Sequence, residues 1–188
     1  MKFFRWPRFT LRTTFVLLAF MAVGMGFYGV RFREGERQIA LATELRPLGI
    51  RATTASSRNF WGIFPPVDYV EIDGYLGMKQ NGLNWTAIER PKDQRLTAAN
   101  IAQLAGFPAL RKLHLQGNVV EPAAIDEIAK LTSLEELIIV HYPLDDEQLI
   151  KLAQLKNLRE LTLEATEVTD GAIDRLRDQL PDLQVYDD

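Results

Sequence analysis

Two histidines and a run of three carboxylates have the side-chain types that metal binding or acid–base chemistry needs. His114 and His141 are 27 residues apart, and neither has a further ligand at a spacing typical of a metal site. Asp145, Asp146 and Glu147 could together bind a cation or exchange a proton. They also begin a segment with helical apolar spacing, where carboxylates stabilise the N-terminus of a helix. The sequence favours this capping role.

The rest of the chain offers no recognisable reactive motif. There is no cysteine, so disulfides, thiolate metal sites and cysteine nucleophiles are excluded. Nucleophile-elbow, P-loop, zinc-protease and dinucleotide-binding motifs do not occur. No set of nucleophile, base and oxyanion donors can be assembled from the sequence. We therefore predict a protein that is not an enzyme and that uses no cofactor, metal or small-molecule substrate.

The two ends of the chain carry opposite charge. Residues 1–37 contain seven Lys/Arg and two Asp/Glu, whereas residues 120–188 contain six Lys/Arg and seventeen Asp/Glu. The basic end is short and adjoins an apolar run, which indicates a neighbouring membrane. The acidic end disfavours a nucleic-acid partner, because the phosphate backbone attracts cationic surfaces.

The apolar run has the length of a transmembrane helix. Residues 13–30, from Thr13 to Val30, carry no charge and would span about 27 Å as a helix. Four Lys/Arg and the free amino group precede the run, which favours an extracytoplasmic C-terminal domain. We predict a retained single-pass signal-anchor. A cleaved signal peptide, with small residues at Ala22, Gly24 and Gly26, and a buried core helix are the alternatives.

A 24-residue repeat organises the second half of the chain. The segment LRELTLEATEVTDGAIDRL at 158–176 aligns with 134–152 and 110–128 without gaps. The aligned apolar columns are Leu110/Leu134/Leu158, Leu113/Leu137/Leu161, Leu115/Ile139/Leu163, Val120/Leu144/Val168, Ile125/Leu149/Ile173, Ile128/Leu152/Leu176 and Phe107/Leu131/Leu155. Spacing by two predicts a strand and spacing by three predicts a helix, so each repeat is a strand, a turn and a helix.

Helix-start residues recur at the same period. Thr97, Glu121, Asp145 and Thr169 are successive members of one column, and Thr and Asp are favourable N-cap residues. Pro122 suits the first position of a helix that begins after Glu121. The carboxylates Asp145 to Glu147 fall in this column, which is why they are predicted to cap a helix.

The pattern resembles that of leucine-rich repeat proteins. Leu110, Leu113, Leu115 and Asn118 match the consensus L-x-x-L-x-L-x-x-N, while the Asn position carries Tyr142 and Thr166 in the next repeats. The resemblance implies an α/β fold, a short right-handed leucine-rich repeat solenoid with concave strands and convex helices, preceded by the transmembrane helix. The segment VDYVEI at 67–72 predicts an earlier strand, and residues 74–92 are predicted to be a loop or a degenerate repeat. LPDLQVYDD at 180–188 resembles a truncated closing strand.

The front of the chain resembles that of membrane-anchored leucine-rich repeat proteins of planctomycete-type bacteria. The likeness rests on the basic tail, the anchor, the segment EGERQIALATELRPLG and NFWGIFPPVDYVEI. The predicted organisation is a tail at 1–12, an anchor at 13–30, a juxtamembrane helix and N-terminal cap at 31–66, and repeats at 67–188. Phe60, Trp61 and Phe64 are predicted to pack in the cap.

The strand residues that alternate with the buried leucines form the candidate binding face. Its centre is Ile138 and Val140, which are apolar where solvent is expected, either because β-branched residues favour strands or because they anchor a partner. We predict that this concave face binds another protein or an envelope macromolecule. The alternative is a structural envelope protein that self-associates. The predicted rows are Lys112/Glu136/Glu160, His114/Ile138/Thr162 and Gln116/Val140/Glu164.

Overall fold

Strands with apolar side chains on one face form the main layer of the protein. The computed structural model describes residues 11–53, 66–81, 84–89 and 94–188. Within these ranges the chain has a mixed α/β fold with one six-stranded and one two-stranded sheet. The helices are α1 (Leu11–Leu45), α2 (Ala98–Ala102), α3 (Ala124–Ile128), α4 (Asp146–Lys151) and α5 (Asp170–Gln179). The strands are β1 (Ile50–Thr53), β2 (Tyr69–Asp73), β3 (Tyr75–Asn81), β4 (Asn84–Glu89), β5 (Lys112–Gln116), β6 (Glu136–Val140), β7 (Glu160–Glu164) and β8 (Gln184–Asp187).

Residues that are 24 apart in the sequence pair with each other in β5, β6 and β7 of the large sheet, so the repeat sets the register of these strands. Its strand order is β1-β2-β5-β6-β7-β8, and the strands from β2 to β8 pair in parallel. Leu113, Leu137 and Leu161 lie side by side in β5, β6 and β7. The two strands predicted outside the complete repeats also pair as expected, with Val70 opposite Leu113 and Val185 opposite Leu161. The α/β class is therefore confirmed.

The core lies between the large sheet and its connecting helices. Leu137 and Leu161 have no exposed surface, and the helical residues Ile125, Leu149 and Leu176 are equally buried in the same cluster. The repeats thus bury their strands and helices against each other, because a single strand–helix unit has too little apolar surface to enclose itself. The opposite face of the sheet carries the polar rows.

Two of the four predicted helix caps are formed as capping boxes. Thr97 begins α2 and exchanges hydrogen bonds with Asn100. Asp145 begins α4, where its Oδ1 accepts from the Gln148 backbone N–H at 2.8 Å. Such reciprocal bonds satisfy backbone donors that have no partner inside the helix.

The cap predicted at Glu121 is wrong. Helix α3 begins at Ala124, and its N-cap is Ala123, without a side-chain bond. The Ala124 N–H donates to the Glu121 carbonyl at 2.9 Å, so a tight turn precedes the helix. Glu121 has a longer side chain than the favoured cap residues, which explains why its position does not open a helix.

Helix α1 is one continuous helix of 35 residues rather than an anchor followed by a separate juxtamembrane helix. Neither the charged residues after position 30 nor Gly35 breaks it. It ends at Leu45, and the following turn, Arg46–Leu48, contains Pro47. Proline disfavours helical geometry in the residue before it, which accounts for this end.

The carboxyl-terminal part of α1 packs into the core of the fold at its first edge, and the cap at 31–66 stays a prediction. Leu45 is fully buried in the core cluster. Buried Gln38 accepts a hydrogen bond from the Val67 backbone N–H at 2.9 Å. A Cβ on Gly106 would lie only 2.5 Å from the Leu41 side chain, so the glycine permits close approach of α1. Strand β1 adds an antiparallel edge to β2. Phe60, Trp61 and Phe64 lie outside the described residues.

The insertion at 74–92 contains a β-hairpin, which corrects the prediction of a loop or degenerate repeat. Strands β3 and β4 pair antiparallel and form a separate two-stranded sheet. Asn81-Gly82 in the sequence is a dipeptide typical of hairpin turns, and it could have revealed this element. A search for the 24-residue period does not detect the hairpin, because the hairpin belongs to none of the repeats.

A left-handed residue follows each of the three central strands. Gly117, His141 and Ala165 have φ angles of 77°, 54° and 50°. They are 24 residues apart, and they reverse the chain at the same place in each repeat. Glycine tolerates this conformation, whereas a Cβ makes it unfavourable.

We expect Gly117→Ala to lower the free energy of unfolding by about 1 kcal/mol, because a left-handed L-residue costs roughly 1–2 kcal/mol. The reverse exchange at the equivalent position, Ala165→Gly, should raise it by about 0.5 kcal/mol, since the freer unfolded glycine offsets part of the gain. Pulse proteolysis across a urea series measures both. A change of the same sign in both variants would contradict the shared left-handed turn.

Candidate interaction surface

The nine predicted face residues all lie on one side of the large sheet. Strand pairing places Lys112, Glu136 and Glu160 in one row, and the other two predicted rows have the same form. Their side chains are half-buried or exposed, in contrast to the buried leucines between them. We call this side of β1, β2 and β5 to β8 the open face. The binding role of its residues stays a prediction.

The open face is wider than the sequence predicted. Residues Tyr69, Glu71 and Asp73 of β2 continue the three rows on one side. Gln184 and Tyr186 of β8 continue two of them on the other side. The alternation in VDYVEI was the signal for the β2 residues, but the rows could not be extended without the register between β2 and β5.

Two apolar side chains occupy the middle of the open face. Ile138 lies between His114 and Thr162, and Val140 lies between Gln116 and Glu164. Both are half-buried, although they belong to the central strand of the three repeats. Burial of such side chains by a partner would remove apolar surface from water, which is the main source of affinity in interfaces.

Ion pairs partly neutralise one half of the open face. Arg51 of β1 lies 3.9 Å from Glu71 and 3.6 Å from Asp73, measured between guanidinium nitrogens and carboxylate oxygens. Lys112 donates a hydrogen bond to Glu136, and this bond raises the pKa of Lys112 above its ordinary value. The cationic side chain of each pair is more than half exposed, so water screens the pairs and each contributes little to stability.

The other half of the face carries carboxylates without such partners. Within the described ranges, Glu160 and Glu164 of β7 have no Lys, Arg or His nitrogen within 4.0 Å. Glu160 acts on Lys112 only through a weaker, longer-range attraction. The carboxylates of β2 and β6 on this face are therefore paired with cations, although cations are fewer, whereas those of β7 are unpaired among the described residues.

The two histidines are not assembled into a reactive group. His114 lies on the open face in β5, whereas His141 is exposed at the left-handed turn after β6. Among the described residues, no cluster of three or more His, Cys, Asp or Glu side chains is placed to hold a metal ion.

The carboxylate run serves helix ends, as its position in the repeat predicted. Asp145 caps α4. Asp146 reaches into the next repeat, where its two oxygens accept from the Thr169 backbone N–H and hydroxyl, each at 2.8 Å. Arg175 of α5 is 3.8 Å away. Thr169 is the residue before α5, but its own side chain makes no capping bond. Instead, Asp146 of the previous repeat accepts the hydrogen bond of the Thr169 N–H at the start of α5.

The hydrogen bonds from Thr169 hold the pKa of Asp146 below its ordinary value of 3.8. The folded chain therefore releases this proton more readily than the unfolded chain, and the resulting stabilisation is lost as the pH falls through the lowered pKa. We expect Asp146→Asn to be less stable than the wild type at neutral pH. The difference in melting temperature should narrow as the pH is lowered below 3.8. A difference independent of pH would contradict the charged capping role.

The consensus Asn position does not form a uniform ladder. Asn118 is exposed, whereas the equivalent Tyr142 is only 2% exposed and belongs to the core cluster. Burial raises the pKa of Tyr142, whose hydroxyl hydrogen-bonds Gln148. The second repeat thus has a buried aromatic ring at the position where the first repeat has the exposed Asn118.

The membrane-facing candidate is the amino-terminal part of α1. From Phe15 to Leu48 the chain has an 18-residue window of mean hydropathy 1.8, none of which is buried. Phe20 and Val23 are more than 70% exposed. By length and composition this helix can cross a membrane, and a signal sequence near the N-terminus would have the same properties.

A scan against protein-family models and a search of curated proteins found no match to this chain.

Proposed function

We propose that this chain is a single-pass membrane protein of the leucine-rich repeat type, whose function is to bind another protein or envelope macromolecule through the open face. The proposal takes the parallel strands and their connecting helices as a short right-handed solenoid, with the open face on its concave side. Catalysis has no part in it. The observation that carries the proposal is the position of the half-buried pair Ile138 and Val140 in the middle of this face.

The anchoring role is supported by the exposed apolar surface of α1. An exposed surface of this size is unfavourable in water but stable in a bilayer. The charge distribution of the sequence supports an extracytoplasmic location of the repeats. Because α1 continues without a break into the cap, the anchor would hold the open face at a set orientation to the membrane.

The binding role is tested by replacing Ile138 and Val140 with Ser in the full chain. The two changes remove roughly 2–4 kcal/mol of possible apolar burial at an interface. They leave the inward leucines in place, so the melting temperature should stay close to that of the wild type. Crosslinking in the native membrane, followed by recovery of the chain, should show loss of a specific partner.

The matched control is Glu121→Ala with Asp178→Ala, two exposed positions outside the open face. This variant should keep the partner at the wild-type yield. If the Ser variant also keeps it, the open face is not the binding surface. Concentration-dependent assembly of the chain alone would favour the structural, self-associating alternative.

A further inference from the structure

Within the part of the chain that the structure describes, some carboxylates of the open face are paired with cations and others are not. Arg51 forms ion pairs with Glu71 and Asp73 of β2, and Lys112 forms an ion pair with Glu136. Glu160 and Glu164 have no ion-pair partner among the described residues, although they share this face.

The unpaired carboxylates adjoin the apolar centre. Glu164 is directly opposite Val140, and Thr162, between the two glutamates, is directly opposite Ile138. On the other side of Thr162 lies Tyr186, which is 54% exposed and donates a hydrogen bond to Gln184. An apolar strip, two carboxylates and an accessible aromatic ring are therefore adjacent on the sheet.

The charges around the two glutamates differ. Lys156 and Arg159 line a depression of about 560 Å³ together with Glu160 and Asp182, so both cations of the chain and a further carboxylate lie near that end of β7. At the other end, Ala165 donates its N–H to the Asp188 carbonyl, which brings the acidic residues Asp187 and Asp188 near Glu164. Cations of the chain thus lie near Glu160, whereas the neighbours recorded near Glu164 are acidic.

We propose that the occupant of the open face is a cationic, extended polypeptide segment of another protein, an inference that rests on the proposed function. Its apolar side chains cover Ile138 and Val140, and a Lys or Arg pairs with Glu164. A second basic residue four positions away reaches Glu160, because four residues of a strand span about 13 Å in both chains. The aromatic ring of Tyr186 can form a cation–π contact with either basic side chain of the segment.

The test uses the full chain in phosphatidylcholine nanodiscs and two labelled nine-residue peptides of alternating Val and Thr. One peptide carries Lys at positions 3 and 7, and the other carries Glu there. Fluorescence anisotropy should show binding of the Lys peptide only, weakening as the salt concentration rises, since salt screens exposed charges. Equal binding of both peptides, or of neither, would overturn the inference.

Charge-neutral variants locate the contact. Glu164→Gln should weaken binding of the Lys peptide more than Glu160→Gln, and the double variant should weaken it at least tenfold. Glu121→Gln with Asp178→Asn makes the same change of net charge away from the face, and its affinity should stay within twofold of the wild type. Equal losses in the two double variants would show a non-specific charge effect and overturn the inference.

The outcome can be separated from that of the proposed function. If the Gln variants bind the Lys peptide normally while Ile138→Ser with Val140→Ser loses the native crosslinked partner, only the cationic occupant is wrong. If the Ser variant also keeps its partner, the open face itself is not the site. Self-crosslinking between nanodisc-embedded chains that the Gln variants abolish would identify a second copy as the occupant and overturn the inference.

Discussion

Leu137→Asp should unfold the repeat region or destabilise it by about 4 kcal/mol or more, because it places a carboxyl group where no water or polar partner compensates it. Leu137 has no exposed surface and lies between Leu113 and Leu161 in the central row of the sheet. The loss includes both the apolar contacts of the leucine and the desolvation of the new side chain. The midpoint of urea unfolding, measured by pulse proteolysis on the detergent-solubilised full chain, reports it.

The control places the same side chain on the neighbouring residue. Ile138→Asp lies on the same strand but faces the opposite way, so its carboxylate stays hydrated. It should cost about 1 kcal/mol, through the lower strand preference of aspartate. Similar losses at the two positions would mean that the assignment of the buried and open faces is wrong.

Leu45→Ala should lower the free energy of unfolding by about 2–5 kcal/mol, the range for removing a fully buried leucine side chain. Leu45 is the last residue of α1, and it is completely enclosed in the core cluster. Its contacts join α1 to the first edge of the sheet. The same urea series measures the effect, and increased proteolysis near the end of α1 should accompany it.

Leu17→Ala is the matched control within the same helix. Leu17 is 50% exposed, in the part of α1 that can cross a membrane. Its replacement should leave unfolding of the repeats unchanged within about 0.5 kcal/mol. An equal response at both positions would show that α1 does not divide into a membrane-facing part and a docked part.

The repeats could be predicted because their information is local and periodic. Leu158, Leu161 and Leu163 alternate as strand residues do, and the equivalent leucines 24 residues earlier lie beside them in the sheet. A one-residue error in this register would place every apolar side chain on the open face, so the pattern admits only one pairing. The cap at Asp145 was equally local, since Gln148, three residues later, completes it.

The candidate face was predicted only where the repeats are complete. Its nine residues follow from the alternation, but Arg51, Glu71 and Tyr186 joined them only through pairing of β1, β2 and β8. Which carboxylates are neutralised depends on side chains far apart in the chain, such as Arg51 and Asp73. The unpaired state of Glu164 could not be read from its neighbours in sequence.

The amino-acid sequence by itself determined the apolar helix, the inward leucine rows and the order of strand and helix, because these depend on spacing along one segment. Tertiary structure alone decided that α1 runs unbroken into the cap, where Gln38 bonds Val67, 29 residues away. It also decided that the Asp146 carboxylate, which belongs to α4, accepts hydrogen bonds from Thr169 at the start of α5. These contacts join separate elements, and their geometry exists only after the helices and strands have packed, because side-chain type does not specify a distant partner.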